Sequence, residues 1–153
     1  MAWEQRNPAN SPSARAYHAM AYDSLRGVTV LFGGWDANGF LADTWEWDGT
    51  NWLQRSPTHH PTAREGHAMV YDSARGVVVL FGGQGDGFQD DTWEWNGTDW
   101  QQRSPVTRPS ARHWFAMTYD SARGVAVLFG GWDGWFEDDT WEWNGTDWAQ
   151  RTD

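Results

Sequence analysis

The heptapeptide Val77-Val78-Val79-Leu80-Phe81-Gly82-Gly83 decides the fold. A continuous apolar run of strand length, rich in β-branched residues and closed by glycines, reads as a strand buried on both faces. The same pattern returns at residues 28–34 and 125–131, so three copies of one unit are present. Trp3, Trp52, Trp100 and Trp148 each open a Trp-x-Gln-Arg segment, at spacings of 49, 48 and 48 residues. The chain is therefore a repeat protein with a period of about 48 residues.

Four strands, A to D in chain order, are expected in each unit. In the middle unit, strand A covers residues 66–71, and the turn Asp72-Ser73-Ala74-Arg75-Gly76 follows, with Asp initiating it and Gly supplying positive φ. The valine run is strand B. Strand C is Thr92-Trp93-Glu94-Trp95, whose alternation sets both tryptophans on one face and the polar pair on the other. Asn96-Gly97 marks a tight hairpin into strand D, Trp100 to Arg103, which the following Ser-Pro terminates. By the same reading Asn96-Gly97-Thr98 and Asn144-Gly145-Thr146 are turns rather than glycosylation sites.

The glycine pair ending strand B, the aromatics of strand C, the Trp opening strand D and an Arg ahead of strand A (Arg15, Arg64, Arg112) resemble the signature of the kelch-repeat family of β-propellers. The likeness covers essentially the whole chain, three times in register. It implies an all-β fold of four-stranded antiparallel blades, strand A lining a central channel and strand D outermost. The blades fall at about residues 14–55, 63–103 and 111–151, with a further strand-D copy at residues 1–6. Ten of the 14 tryptophans hold repeated positions in strands C and D and are expected in the core. Kelch-containing copper oxidases are similar in fold only, since their radical cofactor needs a Tyr-Cys link and this chain has no Cys.

Composition narrows the function. With 21 acidic residues against 11 basic ones, all Arg, the net charge of -10 argues against nucleic-acid binding. Without Cys there is no disulfide, no thiol chemistry and no soft ligand for structural zinc. No signal peptide or membrane span is visible, which leaves the compartment undetermined. No asymmetric nucleophile or acid-base pair stands out, so neither catalysis nor a cofactor is expected.

Propellers close with about four to eight blades, so three leave two apolar faces uncovered. The expectation is a two-fold homodimer of half-rings with six blades, although an excised piece of a longer array would look the same. The second strand-D copy, Trp148 to Arg151, competes with the first for one blade edge. Its Asn144-Gly145 tether to its own strand C favours it.

Antiparallel order sends the A-B and C-D turns to one face of the ring and the B-C and D-A loops to the other. The first face is uniform among the repeats, and the second varies. Trp35, Asp36, Glu65, Asp86, His113, Trp114, Trp132, Asp133 and Trp135 lie on the varied face. Aromatics beside carboxylates suit sugar or peptide recognition, the alternative to a purely structural role. His18 and His67 align with Phe115, which marks a packing position rather than a metal ligand, and His59-His60 lacks a third ligand. Asp90-Asp91 and Asp138-Asp139 lack a calcium-loop pattern and are expected to be solvated loop caps.

Overall fold

The computed structural model describes residues 2–152 and is all-β, with no helix among them. Three four-stranded antiparallel sheets follow one another along the chain. The first orders β1 (Ala19–Asp23), β2 (Val28–Phe32), β5 (Thr44–Trp47) and β6 (Trp52–Arg55). The second orders β7 (Ala68–Asp72), β8 (Val77–Phe81), β9 (Thr92–Trp95) and β10 (Trp100–Arg103). The third orders β11 (Ala116–Asp120), β12 (Val125–Phe129), β13 (Thr140–Trp143) and β14 (Trp148–Arg151). A small ribbon, β3 (Trp35–Asp36) with β4 (Gly39–Phe40), decorates the first B-C loop.

Register is the same in all three blades: Met20 pairs with Leu31, Met69 with Leu80 and Met117 with Leu128. Strand A starts two residues later than its sequence pattern suggests and runs on through the turn-initiating Asp. The cause lies at Tyr17, Gly66 and Trp114, whose φ values of 58°, 64° and 57° are left-handed and cannot extend a strand. Strand B stops where Gly82 and Gly83 take φ of 66° and 103°.

The blades stack through unlike faces. One face of blade 1, with Ala21, Val30 and Phe32, packs on the other face of blade 2, with Met69, Val78, Leu80, Trp95 and Trp100. Blade 2 repeats the arrangement, setting Val70, Val79 and Phe81 against Phe115, Leu128, Trp141, Trp143 and Trp148 of blade 3. Because β1 packs on β7 and β7 on β11, the first strands of all blades gather along one line, as in a propeller sector.

The Thr-Glu face of strand C is buried as well as the Trp face: Thr44, Glu46, Thr92 and Glu94 are sealed where the next blade packs against them. Trp3, grouped with the core tryptophans on its repeat position, is wholly exposed at 104%. Residues 2–6 lie outside every sheet, Met1 lies outside the described residues, and β14 pairs with β13 along its whole length.

Candidate functional site

Each inner seam is written by the same contacts. Trp100 Nε1 donates to Thr44 Oγ1 at 2.9 Å, and Trp148 Nε1 to Thr92 Oγ1 at 2.9 Å. Phe32 meets Trp100 edge-on at 5.4 Å, as Phe81 meets Trp148 at 5.1 Å. The backbone follows suit, with Gly34 N–H donating to Arg64 O and Gly83 N–H to Arg112 O. His67 Nε2 lies 3.1 Å from Phe32 O and donates to it. Burial, reinforced by the Arg64 charge, pushes the His67 pKa down to about 3, so the ring is neutral.

Both ends of the stack offer half of this contact set with nothing against it. At blade 3 Phe129 is 54% exposed, where Phe32 and Phe81 are at 0%. At blade 1 Met20 is 50% exposed, where Met69 is at 6%, and Trp47 and Trp52 are only half-buried. A shallow groove lined by Arg6, Pro8, Met20, Thr29, Trp47 and Trp52 marks this second edge.

Ion pairs fix the two rims. On the uniform rim, Arg26 bridges Asp23 and Glu46 at 2.7 Å each, and Arg75 and Arg123 repeat the bridge to Asp72 with Glu94 and to Asp120 with Glu142. The same guanidinium lies over the next blade's hairpin glycine: a Cβ on Gly97 would meet Arg26 at 3.0 Å, and one on Gly145 would meet Arg75 at 2.7 Å. This double duty explains why the A-B and C-D turns do not vary. On the varied rim, Arg64 is fully buried and grips both oxygens of Asp91, at 2.5 and 2.8 Å, while Trp93 Nε1 donates to the same carboxylate at 2.7 Å. Burial pushes the Asp91 pKa up, but the Arg64 bonds outweigh it and hold the carboxyl below its ordinary value. Asp139 is held the same way by Arg112 and Trp141. Asp91 and Asp139 are thus partners of buried arginines rather than solvated caps, because the arginine ahead of strand A has no other counter-charge. No group of three potential metal ligands occurs among the described residues.

No family model and no curated protein matches this chain.

The varied face divides the expected site residues by what they touch. Asp36 and Asp133 are loop staples, accepting bonds from Ser13 Oγ at 3.0 Å and Ser110 Oγ at 2.9 Å, and from the backbone of their own loops. Trp35 and Trp135 are exposed, Trp132 is half-buried against Phe136, and Asp86 is exposed. No hydrogen bond or ring contact joins Trp35, Asp86 and Trp135 to one another among the described residues; they occupy the B-C loops of three different blades. His113 and Trp114 do come together, around Gly66, the residue that follows Glu65. His113 is buried and stacks on Trp114 at 4.0 Å, and a Cβ on Gly66 would meet the Trp114 ring at 2.9 Å. Tyr17 completes this group, its ring 6.3 Å from that of Trp114. Sequence reasoning passed over Tyr17, yet a signal existed: it aligns with Gly66, the glycine that betrays a left-handed position.

Proposed function

We propose that this chain is a non-catalytic, self-assembling half-propeller of kelch type, and that two copies close head to tail into a six-bladed ring. The observation that carries the reading is the complementarity of the two open edges. Thr140 and Phe129 offer what Thr44 and Phe32 offer at the first inner seam, and Trp52 and His18 are the counterparts of Trp100 and His67. Pairing them would give Trp52 Nε1 its hydroxyl acceptor and His18 its carbonyl. A two-fold closure satisfies both edges together. The kelch assignment rests on the repeated Gly-Gly, Trp and Arg positions, and the buried Arg-Asp pairs give the last of these a structural purpose.

Light scattering on Phe129→Glu tests the proposal. The charge on the open edge is expected to halve the mass of the unmodified assembly while leaving the strand signal in circular dichroism unchanged. An unchanged mass would overturn it.

A second reading, a glycan- or peptide-binding module, draws on the exposure of Trp35, Trp114 and Trp135 on the varied face. Replacing Trp35, Trp132 and Trp135 together with Ala separates the two: unaltered assembly with no change against a glycan and peptide panel favours the structural role.

A further inference from the structure

Tyr17, Gly66 and Trp114 hold one position in the three repeats, and the backbone links them in a line. Gly66 N–H donates to Tyr17 O and Trp114 N–H donates to Gly66 O, both at 2.9 Å. Residues joined this way stand about 5 Å apart at Cα, so six such steps around a two-fold ring leave roughly 10 Å between opposite Cα atoms. The line therefore marks the narrow mouth of the axial channel on the varied face.

Glycine at this position suffices for the framework, since Gly66 makes both backbone bonds at φ 64° without a side chain. The other two repeats nonetheless carry large aromatics there, at φ 58° and 57°, where a side chain is disfavoured. Both rings keep more than half of their surface open, Tyr17 at 56% and Trp114 at 59%, although one side of Trp114 rests on His113 and Gly66. They lean together over Gly66 with their planes tilted by 39°, forming an open V. Trp114 stacks on His113, whose pKa burial lowers.

The electrostatics of this V favour a cation. Aromatic faces are electron-rich and attract ammonium groups within about 6 Å of the ring centre. Glu65, adjacent to Gly66 in the chain, is half-buried and has no ion-pair partner among the described residues. The arginines of this rim, Arg15, Arg64 and Arg112, are each committed to an aspartate. The chain's charge of -10 adds a field of the same sign.

We propose that the closed ring carries an aromatic cup on its axis, built from Tyr17 and Trp114 of both chains, that binds an organic ammonium cation of the quaternary type. The cup rests on the closure proposed above, since one chain supplies only half of it. Glu65, next to Gly66 in the chain, supplies negative charge near the cup, and the absence of a side chain at Gly66 lets the Trp114 ring lie over the backbone there.

Calorimetric titration with tetramethylammonium chloride tests it, on a sample whose mass is measured at the same concentration. The expected result is saturable binding of one cation per two chains, with no heat from sodium chloride or from neutral neopentyl alcohol. Trp114→Gly, which copies the middle repeat and relieves the backbone, is expected to weaken binding about tenfold or more with the ring intact. Glu65→Gln is expected to weaken it about threefold. A dimer that gives no heat, binds one cation per chain, responds equally to neopentyl alcohol, responds instead to neutral sugars, or is unaffected by Trp114→Gly overturns the cup and leaves the closure standing. A monomeric mass removes both.

Discussion

Phe81 and Phe129 occupy the same place in adjacent blades, yet the first is sealed and the second is 54% exposed. The two residues end near-identical strands, so the difference is made by the neighbour. Phe81 has Trp148 and Phe115 against it, and Phe129 has nothing. The contrast extends across the whole seam. Inner positions carry Trp-Thr hydrogen bonds and edge-on aromatic pairs, with neutral His67 at the first seam and Phe115 at the second; outer positions carry Trp52, His18, Phe129 and Thr140 without such partners. In a repeat protein of this kind, stability resides in interfaces between units rather than within any one of them.

The largest expected contrast is between Trp100 and Trp52. Trp100→Ala removes a sealed ring from an inner seam and is expected to cost about 3 to 5 kcal/mol in urea unfolding. Trp52→Ala should cost the single chain far less and act instead on association, seen as a higher dissociation constant. Equal losses in unfolding would erase the distinction between inner and outer seams.

Acid should strain the inner seam next. His67 is neutral when folded, with a pKa of about 3 against an ordinary value of 6.5. Its depressed folded value means that the stability it allows is complete above about pH 6.5 and drains away as pH falls toward 3. Burial and the nearby Arg15 lower the pKa of His18 as well, so acid should also weaken the proposed closure of the ring. His67→Phe copies Phe115 and should flatten the fall in melting temperature between pH 7 and 4. An unchanged slope would place acid sensitivity elsewhere, with the Arg-bound carboxylates first in line.

Smaller effects sharpen the same contrast. Thr44→Val strands the buried Trp100 Nε1 and should cost about 1 to 3 kcal/mol, whereas Thr140→Val should leave the unfolding of an isolated chain unchanged and weaken only association. Trp3→Ala, at a residue with no cover at all, should shift stability by no more than about 0.5 kcal/mol.

Much of the framework was readable in the sequence, because it is dictated by local chemistry repeated three times. The apolar runs, the Trp alternation of strand C and the Asn-Gly hairpins correspond to β2, β8, β12, to β5, β9, β13 and to the C-D turns. Asn96 Oδ1 accepts from Thr98 N–H at 2.8 Å and from Asp99 N–H at 2.9 Å, the side-chain bonding that such a turn calls for. What escaped was set by neighbours distant in sequence. Alternation places Glu46 on the face opposite the tryptophans but does not show that a second blade covers it, where Trp95 Nε1 donates to it at 3.0 Å. Asp91 reads as a loop cap until Arg64, 27 residues away, turns inward to meet it. Trp3 carries the core pattern without the core, since its partners would have to come from another blade. On the varied face, Glu65, His113 and Trp114 were legible as candidates, but the convergence of the last two on Gly66 and Tyr17 depends on how three blades splay around one axis.

Equilibrium sedimentation of the unmodified chain over a wide micromolar range tests most directly whether the open edges bind each other. The expected result is a single species of about 35 kDa, twice the 17.5 kDa of one chain, that does not grow with concentration. A folded species that stays at 17.5 kDa, or a ladder of ever larger oligomers, would contradict closure into a six-bladed ring.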